Sequence, residues 1–166
     1  MTQADTASTV LTPSLMTPEY LLADWQGHRR LTRRVIEAFP EDQLFTFTAA
    51  PPMRSFGEMA WELYGVALYT LEGLVTDEWP NPDWTEKPPH EKAALLAAWD
   101  ELTRRMDAEL PTVPPARYQE EKALFWGTMS ALTTALYAID NEIHHRGQGY
   151  VYLRALGIEP PPFYER

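Results

Sequence analysis

The segment from Ser55 to Val75, SFGEMAWELYGVALYTLEGLV, constrains the fold more than any other part of the chain. It opens with Ser and, three residues later, Glu, which is the capping-box pattern that starts an α-helix. The residues that follow are apolar on nearly every side of such a helix. A surface helix carries one apolar stripe, whereas a helix that is apolar all round is buried. The sequence therefore predicts a helix in the middle of a helical bundle.

Three further segments carry apolar residues at helical spacing. The first begins at Thr17, a capping residue placed before Pro18, and ends before Pro40. The third predicted helix covers about residues 90–110 and the fourth about 124–156, after which Gly157 supplies a C-terminal cap. Prolines recur between these segments, so the connections are predicted to be loops.

Four helical patterns without an alternating strand pattern predict an all-α fold, a four-helix bundle. Residues 111–122, PTVPPARYQEEK, are predicted to be a long crossover before the last helix. Residues 44–54 could hide a short strand, but their prolines favour a loop. Residues 1–16 are interpreted as a flexible N-terminal arm and residues 17–166 as a single domain.

Composition narrows the classes of partner. The chain has no cysteine, so any metal ion must bind through nitrogen and oxygen ligands. A formal charge of −10 disfavours nucleic acid and anionic membrane surfaces as partners. No segment offers the roughly 18 consecutive apolar residues of a membrane span, and the first residues lack the pattern of a secretory signal. These features predict a soluble, cytoplasmic protein that binds neither nucleic acid nor membrane.

Two stripes divide the predicted fourth helix. An apolar stripe is expected to face the core: Met129, Leu132, Leu136, Ile139, Ile143, Gly147 and Tyr150. A polar and aromatic stripe runs on roughly the opposite side: Thr134, Ala138, Asn141, His145, Gln148 and Tyr152. The second stripe is interpreted either as a pocket lining or as an ordinary solvent-exposed face.

Adjacent polar residues of this helix are expected to play different parts. Asn141 and His145 are four residues apart, so they project toward one point, as two metal ligands on one helix do. His144 is expected to point elsewhere. Glu142 and Arg146 have the spacing of a surface ion pair.

Glu62 is the one formally charged residue between Met59 and Leu71 in the predicted second helix. A carboxylate in apolar surroundings is costly unless it is paired with a cation, hydrogen-bonded or protonated. Two interpretations stay open, namely a structural hydrogen bond to Tyr, Trp or Arg, and a role as ligand or catalyst. The solitary His28 and His90 are predicted to be surface residues.

Two motifs make the chain similar to a known family. HHRGQ, from His144 to Gln148, and SFGEMAWELYG, which opens the second helix, resemble the DinB superfamily, also called DinB/YfiT-like metalloenzymes. The resemblance implies a four-helix bundle with an up-up-down-down-like connection, often forming a homodimer. It also implies a divalent metal, zinc or nickel, held by three histidines, and relatives that include thiol-dependent S-transferases and a maleylpyruvate isomerase.

Carried over position by position, the family's metal ligands fall on Glu62, Asn141 and His145. Only one of the three is a histidine, and such a set suits oxygen-preferring cations better than zinc. The alternative is a polar network without metal, in which Glu62 hydrogen-bonds Asn141 or His145 directly. With Gln148 and Tyr152, these residues are predicted to form one central pocket.

Three functions follow from this interpretation. The first is a metal-dependent or thiol-dependent transferase that uses a low-molecular-weight thiol. The second is a non-catalytic, stress-associated binding protein with a degenerate metal site. The third is a dimeric small-molecule binder whose pocket walls are aromatic residues, namely Trp61, Tyr64, Tyr69 and Tyr152.

Overall fold

Four α-helices make up most of the chain in the computed structural model, which describes residues 16–83, 85 and 87–166. They are α1 (Pro18–Ala38), α2 (Phe56–Thr76), α3 (Lys92–Glu109) and α4 (Ala131–Ala155). The four predicted helices are thereby confirmed in number and order. The predicted N-terminal arm lies, apart from its last residue, outside the described residues.

Local hydrogen bonds explain where the helices begin. The Thr17 hydroxyl accepts from the backbone N–H of Tyr20 at the start of α1. At α2, the Glu58 carboxylate accepts the backbone N–H of Ser55 at 2.9 Å, while the Ser55 hydroxyl accepts the N–H of Glu58 at 3.3 Å. This reciprocal pair is the capping box that the sequence predicts.

A short antiparallel hairpin precedes α4. Its strands are β1 (Glu121–Leu124) and β2 (Gly127–Ser130), with Glu121 opposite Ser130. The prediction of a fourth helix from Leu124 is therefore wrong for its first seven residues, 124–130, and the fold is not purely helical. Gly127 has φ 141°, a backbone conformation that suits glycine and that an α-helix does not contain. Ser130 then caps α4 by accepting from the N–H of Thr133.

The apolar core consists of two clusters that show the direction of each helix. One cluster joins the start of α1 and α4 to the end of α2 and α3, with Trp25, Leu71, Met106 and Ala135 among its members. The other joins the opposite ends, with Phe39, Phe56, Trp99 and Tyr152 among its members. Thus α1 and α4 run one way and α2 and α3 run the other, an up-down-down-up order.

This order relocates the crossover. Because α2 and α3 are parallel, the chain between them, residues 77–91, has to return along the length of the molecule. The connection from α3 to α4 joins neighbouring helix ends and contains two short 3-10 turns, Leu110–Thr112 and Pro115–Gln119, before the hairpin. The predicted long crossover before the last helix is therefore a folded turn region at one end.

The buried face of α4 differs from the predicted one. Ile143, expected in the core, is 41% exposed, whereas Thr134 and Tyr152 of the polar stripe are buried. The small residues Ala131, Ala135 and Gly149 also lie on the buried side, where they allow α1 and α2 to approach. No helix in the described parts of the chain is long and apolar enough to cross a membrane.

Candidate functional site

Glu62 of α2 meets two polar residues of α4. Nε2 of His145 lies 3.2 Å from Oε1 of Glu62, and Nδ2 of Asn141 lies 3.5 Å from the same oxygen. The helices approach closely because α4 has Gly149 opposite Phe56 of α2. A Cβ at position 149 would lie only 2.5 Å from Cε2 of that ring. The structure thus brings together the three residues that the sequence predicts as one group.

Gln148 extends this group on the other side of the imidazole. Its Oε1 lies 2.6 Å from Nδ1 of His145. Both ring nitrogens of His145 therefore have a side-chain oxygen within hydrogen-bonding distance. We call Glu62, Asn141, His145 and Gln148, with Arg54 described next, the polar network.

Arg54 is the partner of Glu62 that the sequence requires but does not identify. Its Nη2 lies 2.5 Å from Oε2 of Glu62. Tyr152, predicted to line the pocket, is fully buried and instead donates its hydroxyl to the backbone carbonyl of Arg54 at 2.9 Å. The sequence does contain a signal for this ion pair. Arg54 comes just before the Ser55 cap and stands eight residues, about two helical turns, before Glu62.

The charge state of Glu62 follows from these contacts. The hydrogen bond to His145 and the ion pair with Arg54 lower the pKa of Glu62 to about 2, although burial opposes them. Glu62 is therefore a carboxylate near neutral pH. A carboxylate that accepts from a guanidinium and an imidazole is compensated, which explains how it lies among apolar neighbours.

A cleft of about 710 Å³ opens beside the polar network. Glu62 is the one of the five predicted pocket residues that lines this cleft. Arg54, which was not predicted, lines it as well. Five aromatic residues form its walls: Trp61, Tyr64, Phe125, Trp126 and Tyr137. Glu58 and the loop residues Asp83, Thr85, Lys87 and Pro88 complete its rim, so α2, the hairpin and the connection to α3 all contribute.

A second polar cluster lies on the face of α4 that packs against α1. Glu142 and Arg146, predicted as a surface ion pair, are only 2% and 7% exposed and pack against α1. Glu142 accepts the hydroxyl hydrogen of Thr32 at 2.6 Å, and Arg146 donates to the same Thr32 oxygen at 3.0 Å. The surface prediction is wrong because α1 offers hydrogen-bonding partners on the face that α4 buries.

His28 belongs to this second cluster and is also not a surface residue. It is 6% exposed, and Nη2 of Arg146 lies 3.0 Å from its Nδ1. Burial, with Arg146 and Arg166 nearby, lowers the pKa of His28 to about 4. His90 is exposed, as the sequence predicts, and His144 is exposed as well.

The polar network does not fit a resident zinc or nickel ion in this arrangement. A cation at Glu62 would have to displace the Arg54 guanidinium, and it would have to replace the contact between Nε2 of His145 and Glu62. The third position offers Asn141, whose amide is a weak ligand for either metal. Within the described residues, no three His, Asp or Glu side chains are grouped closely enough to hold a metal ion.

Comparison with solved structures shows the fold. A DinB-like protein from Bacillus cereus aligns with a TM-score of 0.73 at 18% identity, covering 89% of this chain and 98% of that one. A DinB-like protein from Bacillus subtilis aligns with a TM-score of 0.69 at 19% identity, covering 88% of this chain and 97% of that one. Both likenesses extend over nearly the whole length of the other protein.

Sequence comparison supports the same assignment. No curated protein matches the chain significantly. The sequence model of the DinB family, however, matches residues 10–166, which include all four helices and the polar network. The chain therefore belongs to the DinB family.

Proposed function

We propose that this chain binds a small organic molecule with an aromatic or apolar body in the cleft beside α2, and that binding requires no metal ion. The observation that supports the proposal is the cleft itself, about 710 Å³ in volume and walled by five aromatic residues. Cavities of roughly 300–1,000 Å³ with aromatic walls and a few fixed polar groups are typical of small-molecule sites.

The aromatic walls are arranged as surfaces rather than as a collapsed core. Trp61 and Tyr64 stack on each other with ring centroids 4.7 Å apart, and Trp126 and Tyr137 lie 6.1 Å apart. Tyr137 is 49% exposed and Phe125 is 48% exposed. Large rings that border a cavity and still reach solvent offer contact area to a bound molecule.

The polar network favours binding over the metal-dependent transfer reaction that the family resemblance implies. Each position that would hold the metal is already engaged by another side chain, as described above. The DinB/YfiT-like bundle then serves as the frame of a binding site, and the polar network supplies its fixed end. This corresponds to a small-molecule binder with a degenerate metal site.

A matched pair of tyrosines tests the proposal. Tyr137 of α4 borders the cleft, whereas Tyr20 of α1 is similarly exposed and does not line it. The neutral fluorescent probe N-phenyl-1-naphthylamine should bind the wild-type protein, and Tyr137→Ala should weaken its binding roughly tenfold, because a ring wall is lost. Tyr20→Ala should leave the dissociation constant unchanged.

Metal dependence is measured in the same titration. Protein purified without an affinity tag and dialysed against a chelator should bind the probe as well as untreated protein does. Loss of probe binding after chelation, or equal effects of the two tyrosine substitutions, would contradict the proposal. Elemental analysis of the untreated protein provides an independent readout.

A further inference from the structure

The charged groups that line the cleft are unequally engaged, and the carboxylates are the engaged ones. Glu58 accepts the Ser55 backbone N–H and hydroxyl within the capping box. Asp83 accepts the backbone N–H of Thr85 at 2.9 Å and its hydroxyl at 2.6 Å. Glu62 accepts from the polar network. Each carboxylate of the lining therefore already has a donor.

The cations of the lining have donors to spare. Arg54 carries five N–H groups; its closest contact with a carboxylate among the described residues is between Nη2 and Oε2 of Glu62, and its side chain is 48% exposed. Lys87 is exposed at the rim. A ligand that enters the cleft therefore meets the N–H donors of Arg54 and Lys87, and an anionic group of the ligand can accept hydrogen bonds from them.

Glu62 also occupies a position that suits an anion. Three donors from three directions converge on its carboxylate, namely Arg54, His145 and Asn141. Its side chain is 29% exposed, so it lies at the boundary between this donor group and the cleft. The donor group is thus built for a negative charge, and a carboxylate of the chain itself fills it.

We propose that the cleft takes organic anions, with an aromatic body against the ring walls and a carboxylate, sulfonate or phosphate group on Arg54, and that Glu62 competes internally for Arg54. This inference rests on the proposed binding function and adds the charge of the ligand. The aromatic walls alone would equally suit an organic cation through cation–π contacts. The partly exposed guanidinium of Arg54 and the exposed Lys87 at the rim favour the anion.

Two probes with the same aromatic body separate charge from shape. The sulfonate 8-anilino-1-naphthalenesulfonate carries the anilinonaphthalene body of the neutral N-phenyl-1-naphthylamine. The wild-type protein should bind the sulfonate roughly tenfold more tightly than the neutral probe, which is the magnitude of a charge-assisted hydrogen bond at a partly exposed site. Added salt should weaken the binding of the sulfonate and leave the binding of the neutral probe unchanged, because dissolved ions screen interactions between charges.

Substitutions then assign the preference to Arg54 and Glu62. Arg54→Gln should abolish the preference for the sulfonate over the neutral probe, whereas Arg34→Gln, a partly exposed control on α1 outside the cleft, should leave that preference unchanged. Glu62→Gln should increase the affinity for the sulfonate severalfold, because Arg54 is then released from its ion pair. Urea unfolding of each variant shows that the fold is intact, and the wild-type comparison of the two probes needs no variant.

The outcomes distinguish the two proposals. If the neutral probe binds and depends on Tyr137 but the sulfonate binds no better, the inference about charge is wrong and the binding function stands. If a trimethylammonium derivative of the same body binds more tightly than the neutral probe, the cleft takes cations and the inference is overturned. If no probe binds at the cleft, the binding function itself is wrong.

Discussion

Replacing Gly149 with Ala tests the close approach of α2 and α4 that brings Glu62 to His145. A Cβ at position 149 would lie 2.5 Å from Cε2 and 2.8 Å from Cδ2 and Cζ of Phe56. The ring cannot move away easily, because it is fully buried and stacks on Phe39 with centroids 4.8 Å apart. The substitution should therefore force the two helices apart.

The magnitude follows from two opposing effects. Overpacking of a filled core costs about 1–3 kcal/mol, and a contact this short, against a ring held on its other face, places the cost near 3 kcal/mol. Ala gains about 1 kcal/mol over Gly from helix propensity. The free energy of unfolding should fall by about 2 kcal/mol in Gly149→Ala.

Gly147 provides the control within the same helix. A Cβ at Gly147 would meet nothing within 4 Å, so Gly147→Ala should raise the free energy of unfolding by about 0.5–1 kcal/mol. Urea unfolding followed by circular dichroism measures both variants under one set of conditions. If Gly149→Ala proves as stable as Gly147→Ala, the close contact between α2 and α4 is refuted.

Two further predictions concern the charged residues. Glu142→Ala should lower the free energy of unfolding by about 3–5 kcal/mol, because it leaves Arg146 buried without its carboxylate. The control is Glu101→Ala, on the exposed side of α3, which should barely change the urea midpoint in the same assay. Similar effects of the two substitutions would contradict the buried cluster. The pKa of Glu62 is lowered from 4.5 to about 2, so its stabilising contribution is complete above pH 4.5 and is lost as the pH falls toward 2. The stability difference between wild type and Glu62→Gln should therefore shrink when unfolding is measured at about pH 3 instead of about pH 5, and a constant difference would argue against the ion pair.

The features that the sequence predicts well are local ones. The starts of α1 and α2 depend on Thr17, Ser55 and Glu58, whose capping bonds join residues only three positions apart. The sequence does not distinguish the hairpin from the start of α4, because residues 124–130 are largely apolar or small and continue the helical spacing in front of α4. The positive φ of Gly127 and the pairing of the two strands are backbone properties that this residue pattern does not reveal.

The candidate site was predictable in part for a similar reason. Asn141 and His145 share a helix face, so their convergence follows from spacing, and Glu62 had to have a partner because of its apolar neighbours. The identity of Arg54 and the burial of Glu142 depend on which helix packs on which face, and that is decided by contacts between distant residues. The homodimer and the cytoplasmic location stay predictions.

The wall of the cleft has two parts, one built on helices α2 and α4 and one built on the hairpin. The polar network rests on α2 and α4, whose packing around Phe56 and Gly149 leaves little freedom for change. Phe125 and Trp126, by contrast, form the turn of a two-stranded hairpin in which Leu124 is the buried residue. Under the proposed binding function, substitutions in the hairpin turn would change the part of the aromatic wall formed by Phe125 and Trp126 while Arg54 and Glu62 stay in place, so that ligand shape and ligand charge would be selected by separate parts of the protein.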